Sequence, residues 1–251
     1  QGKLLPYFVI TRNGGERGNE IVRKGNEKVI VPRLEDAEFY LTEDLKTPLP
    51  ERLEALQRVT FMEGMGTLYD KTQRLEALVT WLGEQLPQLS AEDRATAKRA
   101  ATLSKCDQVT HMVGDGKLAA LQGYIGGHYA RLAGESEAVA QALAGQYLPV
   151  RQNDPLPDTV PGRLLAVADR LDNLGAAFIL GMIPKGTRDP QGLRRQTQGL
   201  ISILTAAGFR LSLSEAMGFA LAQMPTPDPA PKGALDPTAA QQALRDFFAT
   251  R

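Results

Sequence analysis

From about residue 34 to residue 222 the chain repeats one pattern. Apolar residues recur three and four apart, and Gly, Pro or N-capping residues break the run every ten to twenty positions. That period puts an apolar stripe on each helix, and stripes of this kind are buried only by packing helix against helix. The segments are 34–45, 48–61, 66–86, 90–113, 136–148, 161–182, 189–208 and 212–223. Ser90, with Asp93 three residues on, reads as an approximate capping box. Asp189 reads as an N-cap with Pro190 at the first helical position. The segment "PGRLLAVADRLDNLGAAFILGM" (161–182) is apolar on most sides and is expected at the centre.

The flanks differ. "LLPYFVI" (4–10) and "KVIVP" (28–32) are short β-rich runs around the turn-rich "TRNGGERGN" (11–19), and they predict a small β appendage. "MPTPDPAPKGALDP" (224–237) contains five prolines and predicts a semi-rigid linker. "TAAQQALRDFFATR" (238–251) predicts a last helix. The expected division is therefore 1–33 β-rich, 34–222 helical, 223–237 linker and 238–251 terminal helix, within a mainly α fold.

Bulk properties narrow the function. Formal net charge is zero over 251 residues, so RNA or another polyanion must be met by local patches of cations. A single cysteine rules out an internal disulfide framework and fits a reducing, cytoplasmic setting. No apolar run is long enough to span a membrane. The chain starts Gln1-Gly2 rather than with Met, as an excised or processed piece would.

Three stretches resemble, in order, the metal-site elements of the HD phosphohydrolase superfamily: "KTQRL" (71–75), "SKCDQVT" (104–110) and "VADRLD" (167–172). The resemblance implies an HD-like helical bundle, with two histidines and two aspartates converging on a metal that activates water. Here Lys71 stands at the first histidine and Cys106 at the second, while Asp107 and Asp169 remain. A charged ammonium has three donors and no lone pair; it repels a dication. A thiolate suits softer metals than phosphoester hydrolysis ordinarily uses. The expected occupant of the pocket is a Lys71–Asp107 or Lys71–Asp169 ion pair. The alternative is a metal-dependent phosphohydrolase that recruits His111 and His128 beside Asp107 and Asp169. Against it, His111 reads as a surface or helix-packing imidazole, and His128 lies in the Gly-rich "GYIGGHYA" (123–130).

A longer resemblance runs nearly unbroken over about 8–215. "IVRKGNEKVIVPRLEDAEFYLTEDLKTPL", "GTLYDKTQRLEALVTWLGEQL", "ATLSKCDQVTHMV", "LQGYIGGHYA", "YLPVRQNDPLP" and "LLAVADRLDNLGAAFILGMIPKGTRDPQGLRR" together resemble the β subunit of bacterial heterotetrameric glycyl-tRNA synthetase. The resemblance implies a middle portion of a larger subunit, carrying a degenerate HD-like domain and binding no cofactor itself. It implies tRNA(Gly), the α subunit and the other β-subunit domains as partners, with ATP, magnesium and glycine handled by the α subunit. On this expectation the region is a non-catalytic tRNA-binding and scaffolding module, inactive alone; a purely structural spacer is the third possibility. Two departures from the family wording are Asp115 and Lys117 in "GDGKLAALQG" (114–123), and Gln191-Gly192 where Phe-Ala is usual.

Cation clusters nominate RNA contacts. Lys185, Arg188, Arg194 and Arg195 precede and open a helix, whose N-terminal amides favour phosphate. Lys98, Arg99 and Lys105 lie in "AKRAATLSKCD" (97–107), and Arg12, Arg17, Arg23, Lys24 and Lys28 lie in and beside the turn-rich stretch. Tyr124 and Tyr129 are candidates to stack on an unpaired base.

Overall fold

The computed structural model describes residues 5–15, 17–114, 116 and 118–250. Asp115 and Lys117, the first departure from the family wording, lie outside them. The chain divides into two compact units, Gln1–Tyr40 and Leu41–Arg251.

In the first unit, described residues 5–15 are irregular, and most of the rest is the beginning of helix α1 (Asn19–Asp44). The β appendage expected at 28–32 is a correction: Lys28–Pro32 is helical, and the described residues contain no strand. The five-residue β-rich run is outvoted by its neighbours. Glu, Lys, Arg and Leu dominate on both sides, and such helix preferences add over a window. Arg23 also ties to Glu20 at 2.8 Å and to Glu27 at 3.9 Å, at helical spacing. Ile21, Val29, Val31, Leu34 and Phe39 are exposed along α1.

The second unit is an all-helical bundle. A 3-10 stretch, Leu49–Arg58, leads to α2 (Leu68–Gln85) and α3 (Ala91–Leu103). A short 3-10 turn, Cys106–Val109, joins α3 to α4 (His111–Gly114). Then follow α5 (Tyr124–Leu132), α6 (Glu137–Gly145), α7 (Val160–Ile179), α8 (Leu193–Ala207), α9 (Leu213–Ala222) and α10 (Pro237–Ala249). The apolar segment 161–182 does take the centre: α7 packs against α2, α3, α6, α8, α9 and α10. All but three of its residues are buried.

Caps mark the helix starts. Ser90 Oγ accepts from Asp93 N at 2.9 Å, as expected from the sequence. Thr67 and Asp70 form a reciprocal capping box on α2. Asp189 is a correction of position rather than of role. The helix starts at Leu193, after left-handed Gly192, and Pro190 is outside it. Asp189 still closes the helix end, its carboxylate accepting from Leu193 N at 2.8 Å and Arg194 N at 2.9 Å.

The glycines of "GYIGGHYA" lie mostly inside α5 rather than in a loop. A Cβ on Gly127 would sit 2.4 Å from the Ala140 carbonyl oxygen, so its absence sets the close approach of α5 to α6. The proline-rich 224–237 segment folds back on the bundle. Leu235 N donates to Ile179 O at the end of α7 at 2.9 Å, and Phe247 of α10 packs edge-on against Phe178 at 5.3 Å. No helix among the described residues is long and apolar enough to cross a membrane.

Candidate functional site

Helices α2 and α7 face each other through polar residues in an otherwise apolar core. On α2, Lys71 and Arg74 share a face with Leu75 and Leu78. On α7, Asp169, Asp172 and Asn173 stand at i, i+3 and i+4. Lys71 Nζ lies 2.7 Å from Asp172 Oδ2, 2.8 Å from Asn173 Oδ1 and 3.2 Å from Asp169 Oδ1. Arg74 Nε donates to Asp172 Oδ1 at 2.6 Å and its Nη1 to Met65 O at 3.2 Å. The Phe61 ring lies 4.3 Å beneath the Lys71 ammonium, an additional contact favourable to a cation.

A third cation enters from the end of α3. Lys105 Nζ reaches Asp169 Oδ1 at 2.8 Å and hydrogen-bonds Gln146 Oε1 and Tyr147 Oη, both at 3.1 Å. Lys105 is 3% exposed, which corrects its assignment as an RNA contact. The helix ends at Leu103, and the chain turns Lys105 inward rather than along the outer face. Burial alone would raise the Asp169 carboxyl, but Lys105 and Lys71 outweigh it and hold the group well below the ordinary carboxylate range.

Asp107 and Cys106 do not join this cluster as metal ligands. Asp107 Oδ2 accepts from Gly123 N at 2.5 Å, and burial raises its carboxyl above the usual value. Cys106 is fully buried, and burial pushes its thiol up to about 12, so it is the neutral thiol at pH 7. The expected Lys71–Asp169 pair forms; the Lys71–Asp107 alternative does not appear, since Lys71 is engaged by Asp169, Asp172 and Asn173.

The alternative metal set is likewise a correction. His111 and His128 are exposed, whereas Asp107 and Asp169 are buried. Among the described residues no group of three or more His, Cys, Asp or Glu side chains is placed to hold a metal. The Lys71 and Lys105 ammonium groups beside Asp169 offer a dication no lone pair, and Cys106 is a protonated thiol.

The remaining RNA candidates separate by their partners. Lys98 pairs with Glu76 at 3.3 Å and Arg99 with Glu135 at 2.5 Å. Arg194 turns back onto Gly186 O at 2.7 Å and Arg188 O at 3.5 Å. The amides at the start of α8, expected to be open to phosphate, are occupied by Asp189. Lys185 and Arg188 face each other across a two-residue turn. Arg195 is exposed. Tyr129 is buried, its hydroxyl donating to Asp44 Oδ2 at 3.0 Å, whereas Tyr124 is 64% exposed.

Sequence reasoning did not single out Arg74, Asp172 or Arg170. The first two lie three residues from Lys71 and Asp169, so helical spacing was a usable signal. Arg170 gave none. Buried on α7, it donates to Ala166 O at 2.9 Å, Leu148 O at 2.8 Å and Pro149 O at 3.1 Å, and so pins the 146–149 strap to the helix. Burial lowers its guanidinium to about 10.

Comparison with known proteins fits this bundle into a family. The model of the glycyl-tRNA synthetase beta subunit matches residues 1–251. The chain is 46% identical over 212 residues, 84% of its length, to the glycine–tRNA ligase beta subunit of Streptococcus mutans serotype c, covering 31% of that protein. It is 44% identical over 220 residues to the Halothermothrix orenii subunit, covering 88% of this chain and 32% of that one. It is 40% identical over 250 residues to the Limosilactobacillus fermentum subunit, covering 100% of this chain and 35% of that one. The chain thus spans about a third of the length of these curated relatives. It belongs to the glycyl-tRNA synthetase beta subunit family.

Proposed function

We propose that this chain is a non-catalytic tRNA-binding and scaffolding portion of a glycyl-tRNA synthetase β subunit, with a degenerate HD-like helical domain. It supports glycylation of tRNA(Gly) by the α subunit, where ATP and magnesium act, and it holds no cofactor. The observation that carries this reading is the side-chain set at the HD positions. Lys71 and Lys105 pair with Asp169, and Arg74 with Asp172, so these carboxylates are already charge-compensated and the ammonium groups, with no lone pair, repel a dication. A helical bundle whose carboxylates are engaged in this way is suited to binding and support. The neighbouring β-subunit domains and the α subunit are its expected partners, and the cytoplasm its expected location.

The test is binding of tRNA(Gly) to the full-length subunit that carries this chain, read by fluorescence anisotropy across salt. Affinity that falls steeply with salt supports the reading, because neutralising Z phosphates gives a logarithmic slope of about −0.7Z to −0.9Z. Affinity that is absent or flat in salt leaves a structural spacer. Phosphoester turnover that follows a stoichiometric bound dication would replace the binding reading with a hydrolase.

A further inference from the structure

Two adjoining cavities open beside α8, one of about 520 Å³ and one of about 280 Å³, and they share Pro149 and Arg195. Together they form a continuous groove between the 149–156 loop and α8. The larger cavity carries Arg151 and Arg195, with Gln152, Asn153, Gln198 and Ser202 as neutral hydrogen-bonding groups. The smaller ends at Asp169, Arg170 and Asn173, the outer edge of the buried cluster. Arg170 holds the Pro149 wall in place through its bonds to the 146–149 carbonyls.

The charges that face the groove favour an anion. Arg151 and Arg195 are exposed, and no acceptor among the described residues engages either guanidinium. Arg194 also lines the larger cavity but is turned onto two carbonyls. Asp154 contributes the one carboxylate of the larger cavity, and one of its oxygens accepts from Arg151 N at 2.7 Å. At the inner end, the negative charge of Asp169 is balanced by Lys71 and Lys105. Arg170 lines the same end beside Asp169, so the floor does not repel a phosphate.

We infer that the groove between the 149–156 loop and α8 seats a phosphodiester stretch of RNA, with Arg151 and Arg195 on successive phosphates. The start of α8, closed by Asp189, takes no part. The inference rests on the tRNA-binding reading and moves the contact from the 185–194 loop to the groove. Guanidinium forks match phosphate oxygens bidentately, and the amide and hydroxyl groups between them can hydrogen-bond the ribose-phosphate backbone without reading sequence. The lysine that displaced a metal ligand has a second consequence here. It turns the inner end of the groove from a site for cations into one that tolerates anions.

The test compares variants of the full-length subunit by anisotropy with labelled tRNA(Gly) over a salt series. Arg151→Ala with Arg195→Ala should weaken binding at least tenfold at low salt. It should also flatten the logarithmic salt slope by about 1.4 to 1.8, the loss of two phosphate contacts. Lys185→Ala with Arg188→Ala should change affinity less than twofold. Circular dichroism should show both variants folded, since all four side chains are at the surface. A groove variant that binds like the unaltered subunit, while the loop variant weakens, overturns the groove and keeps the tRNA-binding reading. No binding by the unaltered subunit overturns both. Competition by AMP at equal phosphate concentration would make the groove a small-anion pocket and overturn the assignment to RNA.

Discussion

At the scale of single residues, the helical unit turns on the charges that Lys71, Arg74 and Lys105 bring to Asp169 and Asp172. A buried ion pair contributes little against an apolar alternative, but removing one partner is costly because the other charge is left stranded. Asp172 is fully buried and meets both Lys71 and Arg74. Asp172→Ala is therefore expected to destabilise the fold by about 3–5 kcal/mol in urea unfolding; a loss below about 1 kcal/mol would show that the cluster is solvated. Acid should act on the same groups. The folded Asp169 carboxyl is depressed, so its contribution is complete above the unfolded value near ~3.9 and is lost as pH falls toward the folded one. Stability should therefore drop below about pH 4 in the parent, and by less in Asp169→Asn. Equal acid sensitivity in the two would place the titration elsewhere. Cys106 offers an independent reading: buried and protonated at neutral pH, it should resist a thiol reagent until the protein unfolds.

At the scale of elements, legibility followed the length of the signal. The long amphipathic stretches became α2, α7 and α8, and Ser90 capped α3 where its spacing placed it. Local signals that compete with their surroundings were misleading. The β-prone Val29, Ile30 and Val31 were absorbed by α1, because propensity acts over a window. The segment 90–113 read as one helix, yet it breaks after Leu103, and that break swings Lys105 into the core. No periodicity marks such a turn, so the Lys105–Asp169 pair was not legible although Lys71–Asp169 was. The double glycine in α5 was legible as composition but not as a crossing, which depends on α6 lying against it. Gly127→Ala would force a methyl against the Ala140 carbonyl, an overpacking expected to cost about 1–3 kcal/mol. Gly134→Ala gives no comparable clash, since nothing lies within 4 Å of its Cβ position, but its φ of 83° makes it an unsuitable control. Gly25, with no neighbour within 4 Å and no positive φ, is the appropriate one. An equal loss at Gly25 and Gly127 would argue against the crossing.

At the scale of the whole Leu41–Arg251 unit, the question is where cooperativity ends. Composition sets 224–237 apart as a linker, and a linker would leave the last helix a separate body. Proline richness, however, specifies only a stiff backbone, and a stiff backbone can lie along a surface as well as cross a gap. Here it returns the chain to the end of α7, where Leu235 is hydrogen-bonded to Ile179. Ala240, Leu244, Phe247 and Phe248 of α10 are buried, and Phe247 meets Phe178, itself fully buried in α7. Because α7 also carries Asp169 and Asp172, the docking of α10 and the polar cluster share one support. Truncation after Gln223 would strip the cover from Phe178. Burying one large apolar side chain contributes about 1.5–3 kcal/mol, so the loss should reach roughly 4 kcal/mol over the four residues even after the entropy of ordering α10 is set against it. Differential scanning calorimetry on parent and truncated chains measures this directly. A lower midpoint for the truncated chain places α10 within the cooperative unit, whereas an unchanged midpoint would return the 224–237 segment to the role its composition suggests.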